Sequence, residues 1–174
     1  MAEYKASWME RQKIQMMVRD FRRRLGISKA VCVDILRIVE NVLPQIFGDE
    51  YQFLVLPESE MGTNHGLTTP ETLTIRIRED VYKRARAGQG RDRFTIAHEL
   101  AHLWLHDGIV LGLARAGRNE VICRQEDPEW QANAFAGELL MDAYIIRPLT
   151  IEEVARYCKV SQDAARVQKN FGAK

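Results

Sequence analysis

The 174-residue sequence predicts an α+β fold, mainly helical, with one small antiparallel or mixed β-sheet. Apolar residues recur at helical spacing in segments near both ends and in the middle of the chain, whereas two short segments between residues 51 and 78 read as strands. A hydrophobic content of 46% over this length supplies one sizeable core, so a compact unit with at most a small appendage is expected.

Residues 7–25 place Trp8, Ile14, Met17, Val18, Phe21 and Leu25 on one side of a helix that Gly26 ends. The basic run Arg22, Arg23 and Arg24 reads as a solvated helix terminus, where cations suit the dipole, in preference to a nucleic-acid contact. Ser28 caps a second helix that reaches Leu43, before Pro44, and buries Val31, Ile35, Ile38, Val39 and Val42. Residues 51–56 form a strand. A loop holding Gly62, Asn64, His65 and Gly66 follows, and residues 72–78 alternate Leu73, Ile75 and Ile77 with Thr74, Arg76 and Arg78, as a half-buried strand does.

The run FTIAHELAHLWLH, residues 94–106, sets His98, Glu99 and His102 among Ile96, Ala97, Leu100, Ala101, Leu103, Trp104 and Leu105. Asp92 as N-cap and Gly108 as C-terminal stop make this one helix. Imidazoles and a carboxylate in so apolar a helix cost free energy unless they are paired or bind a metal. Positions i and i+4 share a helix face with Cβ atoms about 5–6 Å apart, so both imidazoles can reach one ion at about 2.0–2.1 Å, the distance zinc takes. Glu99, on the adjoining surface, is placed to take a proton from water, the general-base role that His-Glu-x-x-His serves in metallopeptidases.

A catalytic zinc needs a third protein ligand. His106 lies too far along the helix for an ion held between His98 and His102. A metzincin site is excluded, because Leu105 and Gly108 stand where that pattern needs glycine and histidine. The run EDPEWQANAFAGELLM reads as a further helix with Asp127 as N-cap and Pro128 at its first position, and Glu129 in its first turn is the preferred ligand. Glu120, Glu126 and Glu138 compete with it. Ala132, Asn133, Ala136 and Gly137 are small enough for the two helices to approach closely, while Trp130, Phe135, Leu139 and Leu140 cover other faces.

Two readings of the strand at 72–78 stay open beside such a site: an edge that binds an extended peptide as an added strand, and an ordinary edge guarded by its arginines. His65 and Tyr144 are candidates for stabilising the oxyanion formed when water attacks a peptide carbonyl, although a plain loop histidine is the better reading of His65. Asn133 is a further candidate contact to substrate. Residues 150–172 read as two short helices, with Cys158 to Val160 as the turn and Ser161 as the second cap, which is helix-turn-helix spacing. Gln162, Arg166, Gln168 and Lys169 are a modest supply for reading DNA, so packing or partner docking is the better reading of this tail.

The segments RFTIAHELAHLWLH and EWQANAFAGELLM resemble the ImmA/IrrE metallopeptidases of bacteria, their phages and mobile elements, over roughly residues 50–172. The resemblance implies a zincin-like core at 49–146 and a helix-turn-helix-like tail at 147–174; the helical segment at 1–48 is expected to pack on that core. It implies one zinc ion held by His98, His102 and Glu129, with Glu99 as general base. It also implies a protein substrate, a helix-turn-helix repressor whose cleavage derepresses prophage, mobile-element or stress genes. Asp142 stands where the family commonly has proline, at a helix end rather than in the chemistry. The alternative is a metal-binding regulator that acts by binding a transcriptional regulator or DNA without cutting.

A formal charge of +1 gives no overall drive toward nucleic acid or membrane. The three cysteines, Cys32, Cys123 and Cys158, are odd in number and widely spaced, so reduced thiols and a cytoplasmic setting are expected. The first residues lack an apolar signal core, and no run approaches the ~18 apolar residues of a membrane helix.

Overall fold

The computed structural model describes residues 4–106, 114–115 and 122–172. Strand β1 (Tyr4–Lys5) precedes helix α1 (Arg11–Arg24). A second helical stretch comprises α2 (Ile35–Arg37), a π-helical segment Ile38–Val42 and α3 (Leu43–Phe47). Then come β2 (Gln52–Leu56), α4 (Glu58–Met61), β3 (Gly66–Thr69), β4 (Thr74–Arg78), α5 (Glu79–Arg86), α6 (Gly90–Leu105) and β5 (Ala114–Arg115). The chain closes with α7 (Pro128–Leu140), α8 (Ala143–Ile146), α9 (Ile151–Cys158) and α10 (Gln162–Gly172). A mainly helical molecule with a small mixed sheet is the α+β class the sequence predicts. Among the described residues no helix is long and apolar enough to cross a membrane.

The first helix begins later than its apolar pattern suggests. Backbone N–H groups of Ala6 and Met9 donate to Glu126 and Gln125 carbonyls at 2.8 and 3.0 Å, so the chain stays extended until Arg11 and leaves Trp8 exposed. β1 pairs antiparallel with β5. The helix buries Ile14, Val18 and Phe21, and Gly26, at φ +69°, turns the chain out as expected.

The basic run is not a uniformly solvated end. Arg23 and Arg24 are exposed and paired with Asp20, but Arg22 is fully buried, donating to Leu139 O and Ala30 O at 2.5 Å each. It thereby satisfies a carbonyl in the last turn of α7, where no intrahelical partner exists. The second helix also starts later than expected, at Ile35, because the Asp34 side chain accepts from Arg37 N at 3.1 Å and serves as the cap. Val31 is exposed rather than buried. Pro44 does not end this stretch. The preceding Leu43 N–H bonds five residues back to Ile38 O, and this wider π register carries the helix past a residue that has no N–H to donate.

Three strands form a sheet in the order β2-β4-β3, with β2 parallel and β3 antiparallel to β4. The segment expected to be a half-buried edge is therefore the central strand, and Thr74, Ile75, Ile77 and Arg78 are all buried. Leu73 lies outside it, at φ +47°, closing the turn from β3. The edge beside α6 is β3, within the segment expected to be a loop. Its sequence, Gly-Leu-Thr-Thr, carries one apolar residue and so no alternation to read.

The core lies between the sheet and the helices α1, α6 and α7, filled by Phe21, Ile75, Ile77, Ile96, Leu100, Leu103, Phe135 and Leu139. At the C-terminal end, Thr150 and Glu153 form a reciprocal capping box on α9, Lys159 adopts a left-handed conformation, and Ser161 Oγ accepts from Ala164 N at 3.1 Å at the start of α10. Replacing Arg22 by Ala orphans two carbonyls and leaves a void, so Arg22→Ala is expected to cost about 3 kcal/mol or more. An unchanged urea midpoint would show that those bonds do not hold α7.

Candidate metal centre

Helix α6 starts at Gly90, after Gln89, rather than at an Asp92 cap; Asp92 lies in its first turn and accepts from Arg84 Nε and Nη2, at 3.0 and 2.9 Å. The helix ends at Leu105. Gly108, expected to stop it, lies outside the described residues. The sequence expectation for α7 holds at its start, where the Asp127 side chain accepts from Glu129 N at 2.9 Å and Pro128 takes the first position. Glu129 thus projects from the first turn of one helix toward the middle of the other.

His98, His102 and Glu129 converge, each offering one ligand atom with all three within 4.8 Å of one another. The two Nε2 atoms stand 2.9 Å apart, and the Glu129 oxygens lie 3.2 Å from His98 and 3.3 Å from His102. Burial opposes the charged form of His98, but the Glu129 carboxylate, helped by Glu99, outweighs it and raises the imidazole pKa. The His102 and His98 imidazoles, facing the carboxylate at 3.3 and 3.2 Å, hold the Glu129 carboxyl well below the usual carboxylate range. Two imidazole nitrogens and a carboxylate oxygen at this spacing are a donor set that suits zinc. The residues fit the metal.

Glu99 is buried beside this triad and held from the sheet edge. Thr68 Oγ1 lies 2.6 Å from Glu99 Oε2 and 3.0 Å from its backbone oxygen. Gly66 makes the approach possible, because a Cβ there would stand 2.6 Å from Glu99 Cγ and Oε1. Neither residue was found from the sequence. The glycine sits in a stretch dense in turn-forming residues, and only the contact with α6 distinguishes it.

Asn133 joins the centre as a partner of a histidine, with Oδ1 3.1 Å from His98 Nδ1. His106 and Gln131 stand behind the triad: His102 Nδ1 is 3.0 Å from His106 Nδ1, and His106 Nε2 is 3.1 Å from Gln131 Oε1. Burial, with His102 close by, pushes the His106 pKa down to about 4. The competing carboxylates are engaged elsewhere. Glu126 pairs with Lys5 at 3.0 Å, Glu138 pairs with Arg11 at 2.9 Å, and Glu120 lies outside the described residues.

Tyr144 is not brought to the centre. It lies in α8, beyond the opposite end of α7, where the Arg19 guanidinium stacks 3.7 Å from its ring. His65 immediately precedes β3, and its backbone oxygen accepts from Arg78 N at 3.0 Å; its side chain makes no hydrogen bond to the triad or to Glu99. Gly137 faces α10 rather than α6, since a Cβ there would meet Gln168 Oε1 at 2.8 Å. Asp142, standing in place of the proline, caps α8 by accepting from Tyr144 N and Ile145 N. A cavity of about 360 Å³ opens beside Asn133, lined by Phe94, Trp130, Ala134, Val167 and Phe171.

A His-Glu-x-x-His helix, a glutamate from the next helix and a mixed sheet whose edge reaches the second glutamate define a protein of the metallopeptidase class. Residues 57–168 match the family model of the IrrE N-terminal-like domain, Peptidase M78, and the chain belongs to that ImmA/IrrE family. No curated protein matches the chain.

Gly66→Ala drives a methyl group into the Glu99 side chain, so it is expected to destabilise the fold by about 1–3 kcal/mol and to displace the carboxylate. Denaturant unfolding checks the first effect. Wild-type stability in the variant would mean that β3 does not press on Glu99.

Proposed function

We propose that this protein is a zinc-dependent endopeptidase in which His98, His102 and Glu129 hold one zinc ion and Glu99 is the general base. The observation that carries the reading is the second carboxylate: a site that only stored a metal would need the triad, but not a buried Glu99 fastened by Thr68 beside it. When bound, zinc supplies Lewis-acid polarisation of the peptide carbonyl and makes water more acidic. Glu99 takes the proton from the attacking water and passes it to the leaving amine. Thr68 donates to one carboxylate oxygen and orients the other for that transfer.

The substrate backbone runs along the free edge of β3 as an added strand, because β3 pairs only with β4 among the described residues. This replaces the strand at 72–78 as the substrate-binding edge. The cavity lined by Phe94, Trp130 and Phe171 takes an apolar side chain of the substrate. The substrate in this reading is a helix-turn-helix repressor, as the resemblance to ImmA/IrrE metallopeptidases implies, and its cleavage switches on the genes it silences. The tail formed by α9 and α10, two helices joined through Lys159 to Ser161, is the helix-turn-helix-like element and serves in packing or docking to that partner.

A second reading, a regulator that binds without cutting, is favoured by that same two-helix tail. The two readings part at Glu99. Glu99→Gln is expected to keep zinc and lose cleavage of a co-expressed repressor by about 10²–10⁴-fold, read by mass spectrometry of the fragments. Undiminished cleavage removes Glu99 from the chemistry, whereas regulation by the variant without cleavage favours the binding reading. Metal analysis is expected to find one zinc per chain, lost or weakened in Glu129→Ala and retained in Glu126→Ala. Equal retention in both variants takes Glu129 out of the ligand set.

A further inference from the structure

Behind the triad a line of hydrogen bonds runs from His102 into the interior and ends on the N-terminal segment. His102 Nδ1 meets His106 Nδ1 at 3.0 Å, and His106 Nε2 meets Gln131 Oε1 at 3.1 Å. Gln131 Nε2 reaches two backbone oxygens, Ser7 O at 2.8 Å and Gln125 O at 2.7 Å. His106 is 1% exposed and Gln131 0%, so water cannot replace a missing partner.

The far end fixes the direction of every bond. Two carbonyl oxygens can only accept, so the Gln131 nitrogen must face them and its oxygen must face His106. His106 Nε2 therefore carries a proton. A neutral imidazole has one N–H, so His106 Nδ1 is an acceptor, and the donor opposite it is His102 Nδ1. The remaining nitrogen, His102 Nε2, is left with its lone pair, and it is the atom 2.9 Å from His98 Nε2 and 3.3 Å from Glu129. The opposite polarity would put a proton on that nitrogen and block it as a ligand.

We infer that His106 and Gln131 are positioning residues that hold His102 in its metal-binding tautomer, with the relay anchored on the Ser7 carbonyl of the N-terminal segment. Ser7 lies outside the 57–168 region that the family model covers. This chain's own N-terminal segment thus helps set the proton on a metal ligand. The inference rests on the zinc reading above.

Long-range ¹H–¹⁵N spectra of the imidazoles in the metal-free full-length protein test the relay directly. His102 is expected as the Nδ1–H tautomer and His106 as Nε2–H; His102 found as Nε2–H overturns the relay. Zinc affinity, measured by competition with a chelating dye, is expected to fall about 10–100-fold in His106→Leu and in Gln131→Leu. His106→Asn, whose amide oxygen can accept from His102 Nδ1–H, is expected to recover most of that loss. A buried histidine with a purely packing role predicts the reverse order, with Leu tolerated better than Asn. Equal affinities across all three variants and the wild type overturn the positioning role, even with the tautomers as expected. A wild type that binds no zinc overturns the proposed function and the positioning role together, and the spectra alone then report whether the relay exists.

Discussion

His98 and His102 carry their Nε2 atoms to within 2.9 Å of each other among Ile96, Ala97, Leu100, Ala101 and Leu103 of α6, and the surrounding architecture answers the cost of placing them there. Two partly buried imidazoles at that distance need a partner that favours their being held together. A carboxylate that faces both imidazoles comes from another element, because Glu99, the nearby acid on α6, is held by Thr68. Glu129 supplies it from α7, and this demands two helices packed closely with the N-terminus of one against the middle of the other. The fully buried Ala132 and Ala136 on α7, and Ala97 and Ala101 on α6, belong to the same apolar core.

A carboxylate in the first turn of α7 also lies at the positive end of that helix's dipole. Glu129 therefore suits its own helix before it meets the histidines, and Asp127 and Pro128 fix where that helix begins. All of this was legible in the sequence, because capping and helical periodicity are local patterns that a short window contains. The same holds for the histidine pair, whose geometry follows from helical pitch alone.

What was not legible depends on contacts distant in sequence. β3 is too short and too polar to announce itself, and it becomes a strand because β4 offers a ladder and α6 a surface. Thr68 matters because it meets Glu99, 31 residues away in the chain. His106 was set aside as a ligand because it lies a turn further along α6, and that place is what lets it meet His102 from behind. Arg22 misled for the opposite reason. Its neighbours Arg23 and Arg24 are solvated as a basic run suggests, and only the position of α7 turns the first arginine inward.

The N-terminal segment precedes the family-matched region, yet it grips α7 along its length. Arg22 holds the carbonyl of Leu139 near one end, Arg11 and Gln15 converge on Glu138, and the Ser7 carbonyl receives Gln131 near the other end. Since α7 delivers Glu129, Asn133 and Gln131 to the centre, its placement decides whether the triad closes. A helix bearing small residues can slide against its neighbour with little change in buried area, so apolar packing alone specifies its register weakly. Directional hydrogen bonds near both ends of α7 remove that freedom, because a shift of one turn would leave buried groups unpaired on α1 and α7 at once. The N-terminal segment is, on this argument, part of the metal centre's construction rather than an addition to it.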